Sequence, residues 1–503
     1  MLIGIVTFAS CSDDHEDYAG GEPEVIKTKL EGFRFLAKYN SKTLIADVEC
    51  SIVGDSIIEC LIPHIVDGKM LIPSFEVADG KLMADGVEVC SGKTVLDCTK
   101  PLSLQVKGGV NYTKNYKLRV KSFTGLPVVY IDTEDKKEVA SREEYVRAKL
   151  RIVEDIETRS AGEMLESTIR IKGRGNTTWT MPKKPYKIKF DKKTSLLGEP
   201  ADKAWVLLAN YADKTALRNE TAFFMGRMSR LDYTSRTHFV ELILNGVYNG
   251  TYQLGEQLKI ASHRVNVGDD GFLMEVDARA DGEDVTFKVN HINAPINIKD
   301  PELRVGDESY NYVVRYLQRI DSVLFSDSFR DAEKGYRAYL DEESFVDWYV
   351  INEIAKNNDA CFFSSCYMNL ERGKKLKMGP LWDFDIAFGN VNYNGCDNPE
   401  GFWIKAVAWY TRLFEDPHFV AKVKERFAYY YDHRNQIYDE INANAQYLKY
   451  SVVENNNKWG TLYEYTWPNN MIWGSYENEV QSFKLWLERR FQWLNEQFAT
   501  MGS

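Results

Sequence analysis

The chain has 503 residues, 44% apolar and 27% charged, with a formal net charge of -11. That length exceeds one ordinary domain, and the composition belongs to a folded protein with a sizeable core rather than to a disordered or fibrous one. The acidic balance argues against non-specific nucleic-acid binding, which feeds on a basic surface, though it leaves room for a local basic groove, and no run reaches the roughly 18 apolar residues of a spanning helix.

The first segment, Met1-Leu2-Ile3-Gly4-Ile5-Val6-Thr7-Phe8-Ala9-Ser10-Cys11, is a short apolar run that ends in small residues before a cysteine. An acidic stretch, Ser12-Asp13-Asp14-His15-Glu16-Asp17, follows. The pattern resembles a bacterial lipoprotein signal, without the Lys or Arg that a secretory signal carries before its apolar run. The resemblance implies that residues 1–21 are signal and tether, that Cys11 carries lipid, and that the protein is exported to the outer membrane or cell surface. Of the eight cysteines, Cys11 would then be used by lipid. No Cys-x-x-Cys spacing occurs, which argues against a zinc site. Several of the others lie in apolar, strand-like runs, so buried free thiols are the expectation, although export permits a disulfide.

Residues 22–124 read as short strands separated by Gly54-Asp55, Asp67-Gly68, Asp79-Gly80 and Asp85-Gly86. Regular strands with such turns predict a β-sandwich of about 100 residues. It carries no clustered acid and base, and it resembles the immunoglobulin-like modules that precede catalytic domains in exported bacterial proteins. Thr124-Gly125-Leu126-Pro127 marks a boundary, and residues 125–503 are mixed α and β. The expected fold class is therefore α+β.

Within the second part, residues 165–190 predict two strands around Gly173-Arg174-Gly175-Asn176. Gly173 and Gly175 would let backbone amides approach an anion, as phosphate cradles require. On the outgoing strand Tyr186, Ile188 and Phe190 share one face, which leaves Lys187 and Lys189 on the other. Either lysine could meet a phosphate; solvent-facing lysines on an ordinary hairpin are the bland alternative. A helix over 215–230 follows Asp213, a good N-cap, and Glu220 or Asp213 could pair with that lysine. Asn245-Gly246 between 239–244 and 247–254 is a strong hairpin signal.

Residues 341–356 predict a helix capped by Asp341, with Phe345, Trp348, Ile351 and Ile354 at helical spacing. It delivers Asn357-Asn358-Asp359 to a loop. A hairpin with strands over 361–370 and 375–381 then ends at Trp382-Asp383-Phe384-Asp385. Phosphoryl transfer needs this layout, one carboxylate to meet a hydroxyl and another to hold the metal that screens the phosphates. The order helix, acidic loop, hairpin, acidic metal motif matches the catalytic half of protein kinases, without their His-Arg-Asp triplet and with Ser364 where a metal-binding Asn would stand.

With these segments in view, the chain resembles the spore coat protein H family, the CotH-like atypical kinases. The residues that carry the resemblance include Arg174-Gly175-Asn176, Lys184-Pro185-Tyr186-Lys187, Leu217-Arg218-Asn219, Asn245-Gly246-Val247-Tyr248-Asn249-Gly250, Asn352-Glu353, Asn357-Asn358-Asp359, Trp382-Asp383-Phe384-Asp385 and the late Glu488-Arg489-Arg490. It spans about residues 126–497 and implies a bilobal kinase-like fold that binds ATP with Mg²⁺ and phosphorylates a protein substrate. Carried over, Asp359 is the catalytic Asp, Asp383 and Asp385 hold metal, Gly173, Arg174, Gly175 and Asn176 cover the nucleotide, Lys187 or Lys189 holds phosphate, and Glu256 lies near the adenine. The competing expectation is a non-catalytic adhesin on the same scaffold. A glycan-directed reading would rest on 29 Tyr and 11 Trp, which core packing explains more simply.

Overall fold

The computed structural model describes residues 28–44, 47–63, 70–109, 112–153, 165–280, 282 and 285–502. Cys11, the apolar run before it and the Asp67-Gly68 turn lie outside these residues. The chain is α+β and divides into two compact units, one ending at Val120 and the other running from Lys121, which takes in a short earlier segment.

The described residues of the first unit contain strands and no helix. Its six-stranded sheet carries the long pair Leu102–Gly108 and Tyr112–Phe123, and a three-stranded sheet is centred on Leu30–Phe35. Leu104 and Val106 face inward with Tyr116 and Leu118, the period-2 pattern of a sheet with one buried side. Asp85 and Gly86 both take left-handed backbone angles in a two-residue turn between Lys81–Ala84 and Val87–Val89. Cys50 and Cys60 form a disulfide, which corrects the expectation of free thiols at these two positions. They lie ten residues apart on either side of a tight hairpin, which brings their Cα atoms to 4.5 Å.

The second unit opens with a closed barrel of seven strands: β1 (Val128–Thr133), β2 (Val146–Val153), β3 (Leu165–Gly173), β4 (Tyr186–Thr194), β5 (Asp202–Leu208), β6 (Thr237–Leu244) and β7 (Val247–Glu256). The order around it is β1-β2-β3-β4-β5-β7-β6, and β6 closes the ring by pairing in parallel with β1. Alternate residues fill the interior: Ile169 and Ile171, then Tyr186, Ile188 and Phe190, then Trp205 and Leu207. Asn245 and Gly246 take positive φ in the β6–β7 turn, and the Asn245 carboxamide oxygen accepts from the Thr133 N–H at 2.9 Å. Helix α1 (Arg218–Arg227) is inserted between β5 and β6.

A five-stranded antiparallel sheet follows, built from β8 (Phe272–Val276), β9 (Thr286–Val289), β10 (Ile292–Asp300), β11 (Cys366–Leu370) and β12 (Lys377–Met378). Between β10 and β11 stand α2 (Glu308–Leu324) and α3 (Glu342–Ala355), and after β12 come α4 (Pro417–Asp432), α5 (Arg434–Leu448), α6 (Ser451–Trp459) and α7 (Tyr476–Thr500). Asp341 caps α3 by accepting from Ser344 N–H at 2.9 Å, and every residue from Ser344 to Ala355 is buried. The predicted strand over 361–370 is shorter than expected. Phe362 and Ser365 adopt left-handed φ, which cannot continue a ladder, so pairing begins only at Cys366.

Candidate active site

A cavity of about 390 Å³ in the second unit brings together most of the residues singled out above. One wall is the outer face of the β3–β4 hairpin. Because Ile171 and Ile188 point into the barrel, Lys172 and Lys187 point out, directly opposite each other across the two strands. Like charges in that position repel, so the pair is a cost to the sheet unless an anion joins it. Arg174 adds a third cation, its guanidinium 5.4 Å from the Trp382 ring, and Lys299 a fourth. Burial, helped by Lys172, Arg174, Lys189 and Lys299, pushes the Lys187 ammonium down to about 8. Among the described residues no carboxylate stands within ion-pair distance of it. We expect an amine-acylating reagent to modify Lys187 with a titration midpoint of about 8, on peptide mapping, against roughly 10.4 for an ordinary lysine. A midpoint above 10 would show that the surrounding cations do not act on it.

The facing wall is acidic. The α3 helix ends at Lys356 in the left-handed conformation, and a single 3₁₀ turn, Asn358–Ala360, sets Asp359 against the cavity. Lys356 fixes the return of the chain by donating to the carbonyls of Gly395, Asn398 and Glu400 at 2.6–2.8 Å. Asp359 accepts from Asn358 Nδ2 at 2.7 Å and from Arg279 Nη1 at 3.3 Å. Asp383 has φ +68°, a left-handed angle that Asp tolerates better than most residues, and Ser365 Oγ donates to it at 3.2 Å. Side-chain amides clamp the backbone around it. Asn219 Oδ1 accepts from Phe384 N–H at 2.8 Å, and Asn390 Nδ2 donates to Asp385 O at 2.7 Å.

Burial raises the pKa of the Asp383 carboxyl, and the charge of Asp359 raises it further while Arg174 opposes the shift. Asp385 is raised well above the carboxylate range by burial and by Asp383, Asp213 and Asp359. Among the described residues no three His, Cys, Asp or Glu side chains form a ready-made metal cage. Two crowded carboxylate oxygens nevertheless fit a hard divalent cation of the Mg²⁺ type. Such an ion commonly takes one or two protein carboxylates and fills its remaining positions with phosphate and water.

Four of the expected ligand contacts need correction. The Gly173 and Arg174 amides are already spent, donating to Ser141 O at 2.8 Å and Pro185 O at 3.2 Å, so they do not cradle an anion. Gly173 is required because a Cβ there would lie 2.3 Å from the Trp179 ring, and Gly175 because its φ is +80°. The anion-facing group of this turn is the Arg174 side chain. Lys189, although on the same strand face as Lys187, is exposed and does not line the cavity. Glu220 is turned away. Its carboxylate accepts from Arg227, Thr237 and Gln253, because this face of α1 packs on β6 and β7. Glu256 is fully buried and saturated by Tyr233, Arg236 and Arg264, which leaves Gln257 beside it to line the cavity. Asn176 lies at the cavity edge, where its Oδ1 accepts from Arg142 at 3.0 Å.

Other groups were not anticipated. Glu275 and Asp277 project from β8 and the residue after it. Glu275 pairs with Lys299 at 3.2 Å, and Asp277 accepts from Ser364 Oγ at 2.9 Å. The available signal was a carboxylate set in the otherwise apolar run Phe272-Leu273-Met274-Glu275-Val276. Further out, Tyr393 and Trp467 stack with ring centroids 5.9 Å apart at the cavity rim. Two residues from separate motifs of the resemblance meet in the core: Arg490 pairs with Glu353 at 2.7 Å, both side chains fully buried.

No curated protein matches this chain. Among solved structures, one from Bacteroides thetaiotaomicron described as a "putative glycoside hydrolase" aligns at 16% identity, with a TM-score of 0.16. That alignment covers 37% of this chain and 53% of the other, so the chain spans about half of that protein. The family described as CotH kinase protein matches residues 169–494, which run from within β3 into α7 and include both walls of the cavity. That range is well over half of the sequence, and the chain belongs to the CotH kinase protein family.

Proposed function

We propose that the protein transfers the terminal phosphoryl group of ATP, held with Mg²⁺, to a Ser or Thr hydroxyl of a protein substrate. The observation that carries this reading is the opposition of charge across one cavity: Lys172, Arg174 and Lys187 on the barrel side face Asp359, Asp383 and Asp385 on the other. A triphosphate fits between such walls, with its oxygens on the cations. Asp383 and Asp385 would hold the divalent ion, which supplies charge neutralisation for the phosphate oxygens when bound. Barrel and helical part then serve as the two lobes of a kinase-like cleft. The acceptor oxygen forms its bond to the terminal phosphorus as the bridging P–O bond breaks. The bond electrons leave with ADP, and the hydroxyl proton passes to Asp359. Asn358 and Arg279 keep that carboxylate oriented. The Cys50–Cys60 disulfide belongs in an oxidising compartment, which is where the Cys11 signal would send the chain.

The test is a mass-spectrometric phosphotransfer assay with wild type and Asp359→Asn. The variant should still bind Mg-ATP, while its transfer rate falls by roughly 10²–10⁴, the usual contribution of a positioned proton acceptor. Equal rates would remove Asp359 from the chemistry, and absence of nucleotide binding by wild type would remove the kinase reading itself.

A further inference from the structure

The segment that enters the cavity beside Asp359 through Trp467 and Pro468 is unusually apolar for solvent-facing chain. Between α6 and α7, Tyr463, Tyr465, Trp467, Met471 and Trp473 are 44–66% exposed within eleven residues. Single exposed aromatics need no explanation, but a contiguous group of this kind marks a contact surface. The segment is held firmly, so its exposure is built in. Lys214 donates to Thr461 O and Glu464 O, and the buried Asn469 amide reaches Ala212 O at 2.6 Å and Asn390 Oδ1 at 2.9 Å. At its far end Trp473 N–H donates to Glu479 at 2.9 Å.

The surface is also continuous with the chemistry. Trp467 and Pro468 line the same cavity as Asp359. Trp467 stacks on Tyr393, whose hydroxyl lies 3.5 Å from the amide of Asn358, the neighbour that holds Asp359. An acceptor hydroxyl that reaches Asp359 must therefore bring its own flanking groups against this rim. Their chemistry can be read from the rim. Trp, Tyr and Met together are the residues that dominate protein–protein contact cores, Met because it adapts to irregular apolar shapes. A sugar would need free hydrogen-bonding groups beside the rings. The amide N–H groups of Asn392 and Asn469 are already spent, on Tyr465 OH and on Ala212 and Asn390, and the Asn469 side chain is fully buried, so its oxygen is out of a sugar's reach.

We propose that the segment from Tyr463 to Trp473 is the acceptor-docking platform and that it selects a polypeptide with aromatic, proline or aliphatic residues beside the phosphorylated hydroxyl. This inference rests on the kinase reading above for its hydroxyl, and on the rim alone for its selectivity. The probe is an array of Ser-centred peptides, varied at the flanking positions, assayed for phosphate transfer with Mg-ATP and, in parallel, for binding by fluorescence polarisation without nucleotide. The full-length wild type should prefer apolar flanks. Trp467→Ala and Met471→Ser should each raise the KM for preferred peptides roughly tenfold, the scale of a contact hot spot, with a much smaller change in the KM for ATP. Transfer with charged flanks preferred, or a preference untouched by both variants, overturns the platform while leaving the kinase reading intact. Phosphorylation of an oligosaccharide panel in place of the peptides overturns it in favour of a glycan acceptor. Binding of apolar peptides that depends on Trp467, in a protein that binds no ATP, would leave the platform standing and the kinase reading lost.

Discussion

Asp383→Asn is expected to lower phosphate transfer on the order of 10³-fold, a loss of about 4 kcal/mol of transition-state stabilisation on the scale of metal-ion assistance. Asparagine is the informative replacement. Asp383 sits at φ +68°, where Asn is nearly as comfortable as Asp and Ala is not, so backbone strain stays out of the result. Stability should move the opposite way. The wild-type carboxyl is raised by burial and by the charge of Asp359, and it in turn raises Asp385, so removing it relieves like-charge repulsion. In the absence of divalent cation the variant should therefore melt no lower than wild type, while its activity by mass spectrometry is nearly gone. A variant within tenfold of the wild-type rate would exclude Asp383 as a metal ligand, and one that melts lower would show that the site is not strained by its own charge.

Arg490→Met is expected to destabilise the second unit by about 3–5 kcal/mol, the usual penalty for leaving half of a buried ion pair alone. Arg490 donates to Glu353 Oε1, to Glu353 O and to the carbonyls of Pro399 and Gly401, all at 2.7–3.1 Å. The Glu353 carboxylate also accepts from the backbone N–H groups of Trp403, Ile404 and Lys405 at 2.6–3.2 Å. Truncation therefore strands a buried charge and several carbonyls at once. Urea unfolding of Arg490→Met, Glu353→Gln and the double variant checks this. The double variant should lose less than the two single losses added together, since neither charge is left unpaired. Simple additivity would mean that the pair is not coupled.

Much of the second unit was legible because its signals are local. The alternation Tyr186, Ile188, Phe190 marks a strand facing a core, Asn245-Gly246 marks a two-residue turn, and Asp341 marks a helix start; the structure has all three. The strand-rich character of the first unit was legible from its spaced Asp-Gly turns in the same way. What was hidden depends on partners far along the chain. Closure of the barrel needs Val128 beside Glu241, in a parallel register that no hairpin signal announces. Glu220 was read as a partner for the phosphate-facing lysine, yet the two strands packed on α1 take that carboxylate inward. Glu256 was misplaced for a related reason, since Arg236 and Arg264 reach it from segments whose positions relative to it are set only by the fold. The glycines of the 173–175 turn were read by what their backbone could bind, when Trp179 packing and a left-handed angle already require them. At the site itself the paired Asp motifs stood out, whereas Arg279, 80 residues before Asp359, did not.

The Glu353–Arg490 pair also orders events in time. It spans 137 residues and ties the loop 399–405 to Glu353 in the last turn of α3, the helix that delivers Asp359. Synthesis runs from the N-terminus, so the brace can close only after residue 490 has emerged from the ribosome. Until then the carboxylate of Glu353 has no cation to meet it, and the loop 399–405 is held to α3 from one side only. A copy clipped before Arg490 therefore lacks the buried partner of Glu353.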